Sequence, residues 1–279
     1  MYRDQWKSIN GVRLHWQDWG PREAPVLLAL HGLTQQSHTF DGVAQRFAGR
    51  YRCVALDFRG RGESGWAAPE TYALPQYAED VVKLLDALEI PAAHVLGTSL
   101  GGLCGLSVGA FHPQRLLSLA LNDIGPEIDP AGGARIAAYT ADVPASFPTL
   151  DAVVDWARGR YVWLRRLPRA QVTEQIRWAV REESGGWRLK FDPAIGRTPR
   201  PAPEVMAAAG ELWWKALEAL PCPMLLVRGA ESDVLSRRTA DEMARRQPAL
   251  VRAEVPGMGH APMLSEPAAV EALDRFYKG

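Results

Sequence analysis

The sequence predicts an α/β fold: a mostly parallel sheet with helices on both faces and a helical insertion late in the chain. Three observations carry this. Short continuous apolar runs alternate with stretches of helical period, as expected of strands buried on both faces and joined by helical crossovers. One of those runs ends in Gly97-Thr98-Ser99-Leu100-Gly101, a G-x-S-x-G between an expected strand and an expected helix. The alternation stops near Glu127 and resumes near Leu220.

In chain order, Asn10-Gly11 between apolar flanks (Trp6–Ile9 and Val12–Trp16) predicts a hairpin with a type I′ turn. Pro25–Leu30 is a buried strand ending in His31-Gly32-Leu33-Thr34, and Arg52–Leu56 is another, ending in the run from Asp57 to Ser64. Tyr77, Val81, Leu84, Leu85 and Leu88 form one apolar stripe of a helix. Ala92–Leu96 leads into the G-x-S-x-G and a helix of small residues. Leu116–Leu121 is the next strand, closed by Asn122-Asp123.

Between 127 and 220 the sequence shows no convincing buried strand. Helical stripes at Leu150, Val153, Val154, Ala157, Tyr161 and at Met206, Ala209, Trp213, Ala216, Leu217, Leu220 predict a helical cap over the sheet. This divides the chain into a core of residues 1–126 and 221–279 and a cap of 127–220. Six of the ten tryptophans fall in the cap. Most are expected to form its own core, with Trp163, Trp213 and Trp214 as candidates to line a substrate pocket. Arg160, Arg165, Arg166 and Arg169 make its middle basic, read first as a solvated face and second as a hold for a substrate carboxylate. Alternation resumes with the strand Pro223–Arg228, which runs into Glu231-Ser232-Asp233. A helix, a last strand (Leu250–Val255), the loop Gly257-Met258-Gly259-His260 and a closing helix follow. The strands number eight.

Composition narrows the function. Lys+Arg and Asp+Glu are both 32, so the net charge is zero; a nucleic-acid or membrane-surface protein carries a basic excess. The first residues lack the apolar segment of a signal peptide, and no run is long enough to span a bilayer, so a cytoplasmic location is expected. Cys53, Cys104 and Cys222 are widely spaced in apolar stretches and read as buried thiols, without a disulfide framework or metal spacing.

In open α/β sheets ligands bind beyond the carboxyl ends of strands. His31-Gly32, Asp57, Ser99, Asp233 and His260 all lie there. A serine becomes a strong nucleophile when a base takes its proton and a carboxylate orients the base. The order Ser99, Asp233, His260 supplies the three roles. Asp123, also at a strand end, is the rival for the acid. His31, Asp57 and Arg59 read as residues that fix loops, and His38 as a candidate to touch substrate.

These pieces together (His31-Gly32, the D-x-R-G-x-G-x-S run from Asp57 to Ser64, Gly-Thr-Ser-Leu-Gly around Ser99, Gly229 to Asp233, and Gly257-Met-Gly-His260) resemble the α/β-hydrolase family, in its bacterial serine esterase and C–C hydrolase branch. The resemblance covers nearly the whole chain; the cap matches in position and helical character alone. It implies Ser99 as nucleophile, His260 as base, Asp233 as acid, and the backbone N–H groups of Leu33 and Leu100 as the oxyanion hole. It implies no metal or organic cofactor and a small-molecule ester or lactone as substrate. The oligomeric state, monomer or homodimer, is open. A serine nucleophile and the absence of a proline after His31-Gly32-Leu33 argue against the haloalkane dehalogenases and epoxide hydrolases. Other expectations are a C–C hydrolase of aromatic meta-cleavage diketones, against which Thr98 and the short His-Gly loop stand, and a cofactor-free perhydrolase. A non-catalytic ligand-binding member lies furthest from these residues.

Overall fold

A computed structural model describes residues 1–183, 185–197 and 203–278, with the side chains of all of these except Val162, Trp163 and Pro203. The hairpin forms as its Asn-Gly turn dictates: β1 (Tyr2–Ile9) pairs antiparallel with β2 (Val12–Trp19) in the register Ile9↔Val12, with Asn10 and Gly11 at φ 48° and 76°. The apolar runs become β3 (Val26–Leu30), β4 (Arg52–Asp57), β5 (Ala93–Thr98), β6 (Leu116–Asn122), β9 (Met224–Gly229) and β10 (Leu250–Val255). They join the hairpin in one eight-stranded sheet of order β1-β2-β4-β3-β5-β6-β9-β10, parallel from β4 onward.

The side-chain period of two divides each strand between two cores. Leu28, Leu30, Val54, Leu56 and Val95 face α2 (Leu74–Ala87) and α3 (Leu100–Phe111). Leu27, Ala29, Cys53, Ala55 and Leu96 face α1 (Asp41–Phe47) and α9 (Pro267–Lys278). A further helix, α8 (Arg237–Arg246), links β9 to β10.

Between β6 and β9 lies the insertion: α4 (Pro130–Ala141), α5 (Leu150–Arg160), α6 (Arg169–Ala179) and α7 (Pro203–Ala219). It also holds a short antiparallel hairpin, β7 (Val180–Glu183) with β8 (Gly186–Leu189), that the sequence reading missed. Four-residue strands in the sequence Val-Arg-Glu-Glu and Gly-Trp-Arg-Leu bury little and show no apolar run. The last helix, α7, returns to the sheet and packs on α3. Among the described residues, no helix is long and apolar enough to cross a membrane.

Two loops at the carboxyl ends of β3 and β4 are tied together by buried polar groups. Asp57 accepts from the Ser37 N–H (2.6 Å) and the Glu63 N–H (2.9 Å) and pairs with His15 Nδ1 at 2.7 Å. Arg59 and Asp80 form a bidentate pair at 2.6 and 2.7 Å, almost wholly buried, that fastens the loop after β4 to α2. His31 is fully buried. Its Nε2 accepts from the Phe58 N–H at 3.1 Å, which leaves Nδ1–H to donate to the Gly32 carbonyl at 2.7 Å. The loop-fixing roles expected for His31, Asp57 and Arg59 match these contacts.

Burial lowers the His31 pKa from 6.5 to about 4. The unfolded chain therefore takes up a proton near pH 6.5 that the native state refuses, so stability falls as pH falls. Between pH 7 and pH 5 His31 alone removes about 2 kcal/mol. A His31→Asn variant, which keeps a donor and an acceptor, is expected to show a smaller loss of unfolding free energy over that range than the parent; equal losses in the two would refute the assignment.

The first turn of α3 rides on β3 and β5 so closely that a Cβ on Gly101 would overlap the Leu30 carbonyl, and one on Gly97 would overlap the Gly101 backbone. Alanine normally stabilises a helix relative to glycine by about 1 kcal/mol. Here the sign should reverse. Gly101→Ala is expected to lower the melting temperature sharply, whereas Gly159→Ala, in open space on α5, should leave it unchanged or slightly raised.

Candidate active site

Ser99 sits between β5 and α3 at φ 51°, ψ −113°, a left-handed conformation costly for a residue with a side chain. It occupies the N-cap position of α3, yet its hydroxyl makes no capping bond. Instead Oγ lies 2.9 Å from His260 Nε2. His260 follows β10 on a loop that Glu231 holds through its N–H to the Met258 carbonyl at 2.8 Å.

The other face of the imidazole is where the structure corrects the sequence reading. His260 Nδ1 lies 2.8 Å from Asp123 Oδ2, not near Asp233. Asp123 is the first residue after β6, the strand beside β5, at φ 58°, and it is fully buried. Its carboxylate accepts from the Gly229 N–H at 2.8 Å and the Ser232 hydroxyl at 2.6 Å, so both oxygens are satisfied. An Nδ1–H directed at that carboxylate leaves Nε2 free to accept the serine proton. Asp233 turns away to form a bidentate pair with Arg135 of α4 at 2.5 and 2.7 Å, with 40% of its side chain exposed. The Arg135 guanidinium holds its carboxyl below the usual range. The loop after β9 thus places Ser232, not Asp233, against the Asp123 carboxylate. The sequence reading passed over Ser232, which stands beside the aspartate it singled out.

The expected oxyanion donors fall together. Leu100 opens α3, where the N–H has no intrahelical acceptor. Leu33 follows Gly32, whose backbone approaches Ser99 so closely that a Cβ there would lie 3.7 Å from that of the serine. Leu33 and Leu100 line the same cavity as Ser99 and His260. Its volume is about 730 Å³. The sheet supplies the reactive groups, and the insertion supplies an apolar and aromatic wall that includes Ile136, Tyr139, Trp156, Tyr161 and Trp178.

Of the expected pocket residues, His38 lines this cavity. It is held by Asp41 at 2.9 Å and stacks on Trp178 with ring centroids 3.6 Å apart. Trp213 and Trp214 do not line it. Trp213 is buried with its indole N–H on Ser107 of α3 at 3.2 Å, and Trp214 donates to Glu127 at 3.0 Å beneath the Arg246 guanidinium. Both sit where α7 packs on α3 and α8, which the helical stripe could not distinguish from a pocket-facing surface. The Trp163 side chain lies outside the described residues. Tyr139 and Trp178, which the sequence reading did not single out, take the lining role. The four arginines that make the middle of the insertion basic also point elsewhere: Arg160 and Arg165 to backbone carbonyls, Arg166 to Glu231, Arg169 to Asp151 and Asp155. Among the described residues, no group of three or more His, Cys, Asp or Glu side chains is placed to hold a metal ion.

Comparison with known proteins agrees with this fold. Residues 26–273 match the model of the alpha/beta hydrolase family. The chain is 35% identical over 274 residues to a 3-hydroxybutyrate-oligomer hydrolase of Cupriavidus necator, covering 96% of this chain and 93% of that one. It is 27% identical to a 2-(acetamidomethylene)succinate hydrolase of Mesorhizobium japonicum, covering 91% and 87%. A solved α/β hydrolase from Novosphingobium aromaticivorans superposes with a TM-score of 0.88 at 32% identity, over 99% of this chain and 98% of that one. With the fold, the strained serine turn and a family match across nearly its whole length in agreement, the chain belongs to the α/β-hydrolase family.

Proposed function

We propose that the protein is a carboxylic ester hydrolase working through Ser99, His260 and Asp123. The observation that carries this reading is the unbroken hydrogen-bonded relay from Ser99 Oγ through His260 to buried Asp123, opening into the 730 Å³ cavity. His260 takes the serine proton as Oγ attacks the ester carbonyl. Asp123 keeps the imidazole in the Nδ1–H tautomer and stabilises the imidazolium as it forms. The Leu33 and Leu100 N–H groups donate to the developing oxyanion; each such donor contributes about 3 kcal/mol when tested by removal. His260 then returns the proton to the leaving alcohol and activates the water that frees the acid.

The apolar and aromatic wall favours an uncharged acyl group, and the insertion serves as the cap that excludes water around it. The similarity to a 3-hydroxybutyrate-oligomer hydrolase over almost its full length makes short oligoesters of 3-hydroxy acids the first natural substrates to test.

The deciding measurement is kcat/KM for p-nitrophenyl esters of increasing acyl length and for 3-hydroxybutyrate dimers and trimers, with Ser99→Ala as the blank. Turnover by the parent that vanishes in Ser99→Ala and His260→Ala is expected. Retention of activity in either variant would overturn the mechanism. Asp123→Asn is expected to lower kcat by about 10⁴-fold, as loss of the orienting acid does in serine proteases, while Asp233→Asn stays within about threefold of the parent because it removes only a half-exposed ion pair. The reverse ranking would restore Asp233 as the acid.

A further inference from the structure

Arg61 is the least expected side chain in the molecule. It is fully buried, and among the described residues no carboxylate lies within ion-pair distance of its guanidinium. Removing such a charge from water costs several kcal/mol unless hydrogen bonds replace the lost hydration. Its replacements are few. Nη1 donates to the Arg59 carbonyl at 2.9 Å and the Tyr77 hydroxyl at 2.7 Å, and Nε donates to the Leu33 carbonyl at 3.1 Å. Nη2 has no acceptor among the described residues. The guanidinium carbon lies 4.9 Å from the Tyr77 ring centre and 5.6 Å from that of Tyr72, which clamps the group between two aromatic rings.

The contact with Leu33 is the one that reaches the site. The peptide plane that carries the Leu33 N–H is set from one side: its carbonyl, on Gly32, accepts from His31 Nδ1–H at 2.7 Å and from the Gln35 N–H at 3.2 Å. The next plane, which carries the Leu33 carbonyl, is held by Arg61. The two planes share the Leu33 Cα, so that residue, which lines the cavity, is fixed from both sides. Arg61 is itself anchored at the junction with the insertion, since its backbone bridges to Phe191 and the Asp192 N–H donates to the Gly60 carbonyl at 2.8 Å.

We infer that Arg61 is a positioning residue for the oxyanion hole, acting through its Nε–H bond to the Leu33 carbonyl to hold the Leu33 N–H at the place where negative charge develops. The inference rests on the ester-hydrolase reading above. It predicts a loss that appears in the transition state and not in ground-state binding. An oxyanion donor removed outright costs 10²–10³-fold in kcat; a donor left in place but loosely held should cost less, about 10-fold to 100-fold.

The test uses Arg61→Met and Arg61→Lys in the full chain, with an alkyl trifluoromethyl ketone as probe. Ser99 Oγ adds to the probe's carbonyl carbon, its proton passes to His260 Nε2, and the ketone oxygen becomes an oxyanion in the hole. The expected result is a kcat about 10-fold or more below the parent, a KM within twofold, and a ketone Ki raised by the same factor as kcat falls. Should the methionine variant fail to fold, Arg61→Lys carries the test, because it keeps the charge and loses the Nε geometry. A folded variant with kcat and Ki within twofold of the parent, or one whose kcat falls while Ki stays put, overturns the inference. A parent that neither turns over esters through Ser99 nor binds the ketone overturns the ester-hydrolase reading itself.

Discussion

The contact between the first turn of α3 and the ends of β3 and β5 is the constraint on which the active site depends. Backbone meets backbone there, with no room for a Cβ at Gly97 or Gly101. That approach forces Ser99 into a conformation a side chain ordinarily avoids, and the same approach directs the open N-terminus of the helix at the cavity. The strain is local, and it is sustained because both cores bury continuous apolar strands around it. Loosening the turn would relax the serine and at the same moment move its hydroxyl off the imidazole.

Around that fixed point the rest of the site is assembled by backbone groups and buried polar side chains. His31, Asp57 and Arg61 each tie a carbonyl or N–H of one strand-end loop to the other, and Arg59 fastens the second loop to α2, so the loops after β3 and β4 are joined. Asp123 is held in the same manner by the Gly229 N–H and the Ser232 hydroxyl. Ser99, His260 and Asp123 are therefore held by neighbours that do not line the cavity.

Much of this could be read from residue order. Strands buried on both faces announce themselves as unbroken apolar runs, and the Asn-Gly hairpin and G-x-S-x-G turn have local chemistry that leaves few alternatives. The acid was a different case. Asp123 and Asp233 both follow a strand, and strand ends alone do not say which carboxylate turns inward. The choice is made by tertiary contacts: Arg135, 98 residues from Asp233, draws it outward, while the Gly229 N–H and Ser232 give Asp123 a buried seat. Trp213 and Trp214 were misread for a similar reason. A helical stripe reveals that a face is covered, not whether a neighbouring helix or a cavity lies over it. The β7–β8 hairpin, too short and too polar to leave a pattern, was invisible.

Seating the partner of His260 just after β6 separates it from the attachment of the insertion. Asp233 links α4 of the insertion to the core through a partly exposed pair, a weak and exchangeable bond. Were the acid at that position, every change in how the insertion attaches would disturb the chemistry. With the Ser99–His260–Asp123 hydrogen bonds completed one strand away, the Arg135–Asp233 pair and α4 above it can shift while those bonds stay intact, so long as Ser232 keeps its bond to Asp123. The side chain that anchors the insertion is thereby separate from those that hold the imidazole.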